Sequence, residues 1–191
     1  MKGYIYTMFA GADPGAGWHM TDPIFGKTPT LGACMPNVRR FVMPGDYIFV
    51  VSGRLPGVQQ YVVGGFKVAE KINALAAFRR FPENRMSRLP NGELSGNIIV
   101  DGTGRHHRLD YHDAFQRRLD NYIVGRDPVQ LQKPEEVKIG REKSLGILQQ
   151  LFDVRHANRI ADVIGRMKKL DDKQVNRLLD QLRRIKERAH G

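Results

Sequence analysis

Cysteine is almost absent from this chain: one thiol, Cys34, in 191 residues. A single cysteine excludes an internal disulfide and a thiolate metal cage, and it makes a reducing, cytoplasmic setting the default expectation. Tryptophan is as scarce, with Trp18 alone. No apolar run approaches the ~20 residues needed to cross a bilayer, so no membrane association is expected. The opening Met1-Lys-Gly-Tyr-Ile-Tyr lacks the long apolar stretch and cleavage site of a signal peptide. The marks of the common enzyme classes are missing as well. Gly11-x-x-x-Gly15-x-Gly17 has neither the Lys-Ser/Thr ending of a P-loop nor the spacing of a dinucleotide site. There is no Ser–His–Asp order or paired-carboxylate signature of a known kind. No cofactor is expected, and no metal, because the histidines lack a zinc-like spacing.

Acidic charge is the other scarcity. Twenty Asp and Glu face 31 Lys and Arg, a net charge of +11 with a pI near 10.0. Such an excess favours polyanion partners, nucleic acid or nucleotide above all. At 41% hydrophobic and 27% charged residues, the composition is that of an ordinary globular chain long enough to bury a core.

The period of the apolar residues divides the chain. Gly3–Phe9, Tyr47–Val51, Gln59–Ile72, Asn97–Val100 and Tyr122–Gly125 read as strands. The double glycine at 64–65 marks a bend of the kind a small barrel needs at its corners. Ala74–Phe81 reads as a short helix ended by Pro82, and Val129–Ile139 as an extended segment. From Glu142 the period becomes about 3.6. Three stripes follow: Leu145, Leu148, Leu151 and Phe152; Ile160, Val163, Ile164 and Met167; Val175, Leu178, Leu179, Leu182 and Ile185. Asp153 fits an N-cap of the middle helix, and Asp171 with Gln174 fits a capping box of the last. The expected fold is α+β: a small bent antiparallel sheet or barrel over 1–140, and a basic helical region over 141–191. The stripes bury against each other, the sheet or a second copy, so a homodimer through these helices is one expectation.

The stretch Thr30–Gly53 carries the candidate chemistry. Cys34 lies in a loop before the strand Tyr47–Val51, followed by Arg39, Arg40 and the turn Pro44-Gly45-Asp46. Positive charge nearby makes a thiol a better nucleophile, and a guanidinium fork matches phosphate. Trp18, Cys34 and Tyr47 are the candidate base-binding residues, Trp18 by stacking. Arg39, Arg40, Lys168, Lys169, Lys173 and Arg177 are the candidate phosphate contacts. Cys34 and Asp46 are the catalytic candidates. His106, His107 and His112 lie near Asp110 and Asp113, and polar chemistry at a strand end accounts for them.

Pro23-Ile-Phe-Gly26, Thr30-Leu-x-x-Cys34-x-Pro36-x-Val38-Arg39-Arg40 and Gly45-Asp46-Tyr47-Ile48 together resemble the second nucleotide modification associated domain family. The likeness covers about residues 1–125. Met35 stands where a lysine is common, and Tyr47 where a tryptophan is. The resemblance implies a part in making or handling modified DNA bases in phage or bacteria. At fold level, the Gly-Asp strand and the Val-Gly-Gly-Phe strand are similar to PUA-like barrels, including EVE domains, which hold one base in a pocket. The leading expectation is nucleic-acid or nucleotide binding with recognition or handling of a modified base. The alternatives are an enzyme of base modification using Cys34 or Asp46, and an interaction protein dimerising through its C-terminal helices.

Overall fold

The computed structural model describes residues 1–190. In chain order its elements are β1 (Gly3–Thr7), β2 (Thr30–Leu31), α1 (Pro36–Phe41), β3 (Tyr47–Val51), β4 (Val62–Ile72), α2 (Ala74–Arg80), β5 (Ser87–Arg88), β6 (Leu94–Ser95), β7 (Tyr122–Gln130), α3 (Pro134–Phe152), α4 (Ile160–Ile164), β8 (Met167–Leu170) and α5 (Asp172–Arg188). The class is α+β. Six strands belong to one mixed sheet that does not close into a barrel, and β5 and β6 form a separate antiparallel pair.

The expected division at residue 140 is not the one the fold adopts. One compact unit combines Met1–Trp18, Asp46–Phe66 and Val129–Gly191; the other combines His19–Gly45 and Lys67–Pro128. The helical tail therefore belongs to the same unit as the first strand. A strand, β8, lies within it and pairs antiparallel with β1, where Met167 sits opposite Tyr6. Helical periodicity could not show this, because Met167 falls in phase with the stripe before it.

In the first unit the strand order is β4-β3-β1-β8. β1 and β3 run parallel, Gly3 opposite Tyr47 through Thr7 opposite Val51, so the expectation of an antiparallel sheet is corrected. Tyr47-Ile-Phe-Val-Val is buried along its whole length, and an unbroken apolar run of this kind marks a strand covered on both faces. The double glycine answers a close approach within a continuous strand. A Cβ at Gly65 would collide with the Phe49 ring, and one at Gly64 with the Val129 carbonyl.

α3 packs against α4 and α5. α5 buries Val175, Leu178, Leu179, Leu182 and Ile185, worth on the order of 10 kcal/mol at ~2 kcal/mol per side chain. That stripe is spent inside its own unit and leaves those residues no free face for a second copy. The Asp171–Gln174 capping box forms as expected. Asp153 instead ends α3 in the left-handed region at φ 52°. The segment expected to be extended, Val129–Ile139, turns into α3 at Pro134, where proline is preset for a first helical turn. Asn97–Val100 forms only isolated bridges.

The second unit has the order β2-β7-β4. Its core gathers Ala74, Ala77, Phe81, Ile98, Val100, Tyr122 and Val124. Asn73 caps α2, accepting the Ala76 N–H at 2.8 Å. No helix among the described residues is long and apolar enough to cross a membrane.

Glu136 ties the two ends of the C-terminal stretch together. It is buried on α3 and accepts the N–H groups of Gln132 at 2.8 Å and Lys133 at 3.2 Å, the Lys186 ammonium at 3.0 Å and His190 Nε2 at 3.1 Å. Burial pushes its carboxyl up, but these donors outweigh it and bring the pKa down from 4.5 to about 2. A depressed carboxyl stabilises the fold above its unfolded value and loses that contribution as pH falls through its folded value. Urea unfolding of wild type and Glu136→Gln should therefore differ by about 3 kcal/mol at pH 7. The gap should shrink from pH 4.5 towards pH 2; a gap that does not depend on pH would refute the assignment.

Candidate functional site

The loop Gly32-Ala33-Cys34 joins β2 to α1, and a buried carboxylate fixes it. Asp22 Oδ1 accepts the Gly32 N–H at 2.8 Å and the Asn97 amide at 2.9 Å; Oδ2 accepts the N–H groups of Ala33, at 2.8 Å, and of Cys34. Asn97 is locked in turn, donating to Thr30 Oγ1 at 3.1 Å and accepting from the Tyr122 hydroxyl at 2.8 Å. Cys34 emerges half-buried, and Met35 after it takes a left-handed φ of 50° before Pro36 begins α1. A non-glycine residue in that region costs on the order of 1–3 kcal/mol, held here by the surrounding bonds.

Arg39 supports the same loop from below. It is fully buried. Nε donates to the Cys34 carbonyl at 3.0 Å, and Nη1 to the carbonyls of Arg118, Asp120 and Asn121 at 3.2–3.3 Å. Nη2 reaches the Ala33 carbonyl at 3.4 Å. Burial lowers its pKa, opposed by the field of Asp22. The expectation that Arg39 contacts phosphate is corrected: its donors are committed to main-chain oxygens inside the unit.

The thiol has a histidine partner. Cys34 Sγ lies 3.8 Å from His112 Nε2, and His112 Nδ1 lies 2.6 Å from Asp110 Oδ1. The other carboxylate oxygen, Oδ2, lies 2.7 Å from His106 Nε2, whose ring stacks on Phe115 at 4.3 Å. Burial pushes Asp110 up, but the two histidines hold its carboxyl below the usual range. An ionised carboxylate only accepts, so His112 carries a proton on Nδ1, and its Nε2 faces the thiol. Burial, followed by the Asp22 carboxylate, raises the Cys34 thiol well above its ordinary value, against the weaker pull of Arg118 and Arg39. The raised pKa disfavours a resting thiolate, and His112 Nε2 is the nitrogen placed to take the thiol proton.

The other expected residues lie elsewhere. Trp18 and Tyr47 are in the first unit and Cys34 in the second. Trp18 packs edge-on against Phe9 at 5.4 Å, and buried Tyr47 stacks on Phe49 at 5.9 Å. Buried Asp46 accepts the Lys2 N–H at 3.1 Å. Arg40 is exposed, its guanidinium 4.9 Å over the Phe41 ring. Lys168 donates to the Val163 carbonyl at 2.9 Å and lies over Phe152, while Lys169, Lys173 and Arg177 are exposed. No group of three or more His, Cys, Asp or Glu among the described residues has a metal-holding arrangement.

Sequence reasoning missed His112 and Asp110 as partners of Cys34, because His112 stands 78 residues away along the chain and Asp110 nearly as far. One signal was present: a lone cysteine with His and Asp elsewhere in the sequence is the composition of a thiol triad. No protein-family model matches the chain, and no curated protein or solved structure is significantly similar to it.

Replacing Arg39 by Met removes a donor from the carbonyls of Cys34, Arg118, Asp120 and Asn121, while Ala33 keeps that of Arg118; the loss should be about 3 kcal/mol. Thermal melting should fall by roughly 10 °C; a melting point within ~2 °C of wild type would refute the supporting role. For the thiol, iodoacetamide alkylation at pH 8 should run at least about ten-fold slower in the native protein than in urea. Its rate should keep rising with pH through the range where an ordinary thiol levels off. A plateau below pH 8 would show a stabilised thiolate instead.

Proposed function

We propose that this protein is a thiol-dependent enzyme that binds nucleic acid or nucleotide and acts on a base. Cys34 is the nucleophile, His112 its base and Asp110 the carboxylate that orients His112. The observation that carries this reading is the unbroken line from Sγ to Nε2 at 3.8 Å and from Nδ1 to Asp110 at 2.6 Å. Nucleophile, base and orienting group in that order make a neutral thiol reactive at the moment of attack. As Sγ bonds to an electrophilic carbon of the substrate, its proton passes to Nε2, and Asp110 stabilises the imidazolium. The same proton is available to the substrate atom that gains the electron pair.

The class of substrate is argued from charge and from likeness. A net charge of +11 suits a phosphate-bearing partner, and the Thr30–Arg40 block resembles a family linked to modified bases. Support for the PUA-like likeness is the succession of the Gly45-Asp46 strand and the long Val-Gly-Gly-Phe strand; the open sheet weighs against a closed barrel.

A second reading keeps the partner and drops the chemistry: a reader of modified bases whose thiol is inert. The raised thiol pKa favours it. One experiment separates the two. DNA and RNA oligonucleotides with plain and modified bases are incubated with wild type, Cys34→Ser and His112→Gln. Binding is followed by anisotropy, and base conversion or a protein–base adduct by mass. The enzyme reading expects chemistry in wild type, none in Cys34→Ser despite retained binding, and a loss of about 100-fold or more in His112→Gln. Equal binding by all three with no converted base and no adduct would leave the reader.

A further inference from the structure

Helix α3 contains two glycines in places where a helix gains nothing from them. Gly140 has a packing reason: a Cβ there would lie 2.8 Å from Leu131 Cδ1 and 3.3 Å from the Tyr61 ring. Gly146 has none. A Cβ there would meet no atom within 4 Å, and its backbone is not left-handed. Glycine weakens a helix interior relative to alanine, so at Gly146 the cost is carried for empty space. That space adjoins two cavities of the first unit, because Gly146 and Glu142 line both.

The first cavity, about 440 Å³, is lined by Arg54, Arg141 and Arg159 with the apolar Leu145 and Ile160. The second, about 240 Å³, lies between α3 and α5 and is lined by Lys143, Arg184 and Arg188. Six cations thus border the two neighbouring cavities, and Glu142 is the single acidic residue lining them among the described residues. Two of the six are engaged, Arg141 with Asp13 at 2.9 Å and Arg159 with Asp162 at 2.8 Å. Arg54, Lys143, Arg184 and Arg188 are exposed and hold no side-chain partner among the described residues.

We infer that these two cavities, joined across α3 at Gly146, are a binding track for single-stranded nucleic acid. The strand crosses α3 over Gly146, with Arg54 on one side and Lys143, Arg184 and Arg188 on the other neutralising its phosphates. A hollow of 440 Å³ is the size of a small-ligand site and admits one nucleotide. A duplex, about 20 Å across, cannot enter it. A positively charged groove that tracks the backbone is the sequence-independent part that single-strand binders use. The inference rests on the nucleic-acid half of the function proposed above and is independent of the thiol.

The test uses the full chain and a fluorescein-labelled 12-nucleotide oligo-dT, with anisotropy titrations from 50 to 200 mM NaCl. Lys143→Glu/Arg184→Glu/Arg188→Glu should lose at least about ten-fold in affinity. It should also flatten the slope of log K against log salt by about 2, since each phosphate contact on a single strand contributes about 0.7. Gly146→Phe, which fills open space, should lose several-fold with unchanged circular dichroism and melting. A control with the same charge change on exposed residues of the other unit, Lys27→Glu/Arg79→Glu/Arg88→Glu, should lose less than about three-fold. No binding by wild type at 50 mM, or an equal loss in the control, overturns the track. So does a 12-base-pair duplex that binds as tightly as the single strand. Cys34 alkylation in the triple variant should stay at the wild-type rate, so the thiol reading stands or falls by its own measurement.

Discussion

The Asp22 carboxylate is the constraint on which the candidate site depends. It accepts four N–H donors, three of them from consecutive residues Gly32, Ala33 and Cys34. Three adjacent amides turned to one carboxylate fix the backbone of the loop, and a charged acceptor makes each bond stronger than a neutral one. Those amides also decide the electrostatics of the sulfur. The negative charge that orders the loop adds to burial in holding the thiol neutral. A loop built this way relies on a neighbouring base for ionisation, and His112 stands where that base is needed.

Arg39 completes the arrangement from the opposite side. A guanidinium with five donors in a fixed fork satisfies carbonyls from two distant stretches, 33–34 and 118–121. It thereby joins the cysteine loop to the segment that follows His112. A lysine, with one charge centre and three donors, does not span the same set. The first unit uses the same device with opposite sign, where Glu136 gathers main-chain and side-chain donors from both ends of the tail. Each unit thus spends a buried charge on organising irregular backbone.

The elements that were legible have local causes. Tyr47–Val51 is a strand because five consecutive apolar, mostly β-branched or aromatic residues follow a Pro-Gly-Asp turn. α2 is bounded by Asn73 and Pro82, and α5 begins at a capping box. The strand β8 was illegible, because Met167-Lys-Lys-Leu170 is too short to declare a period and is a strand only by pairing with β1. The role of Arg39 was misread for a related reason. Nothing local distinguishes an arginine that faces solvent from one enclosed by carbonyls 80 residues on.

By itself the sequence determined the charge, the solitary thiol, the main helices and the strands Tyr47–Val51 and Val62–Ile72, because composition, capping and periodicity act over a few residues. Only the tertiary structure decided that the tail folds back beside the first strand, that Arg39 faces inward, and that Cys34 meets His112 and Asp110. Those outcomes depend on contacts between residues far apart in the chain, and their partners are chosen by packing and by the need to satisfy every buried polar group.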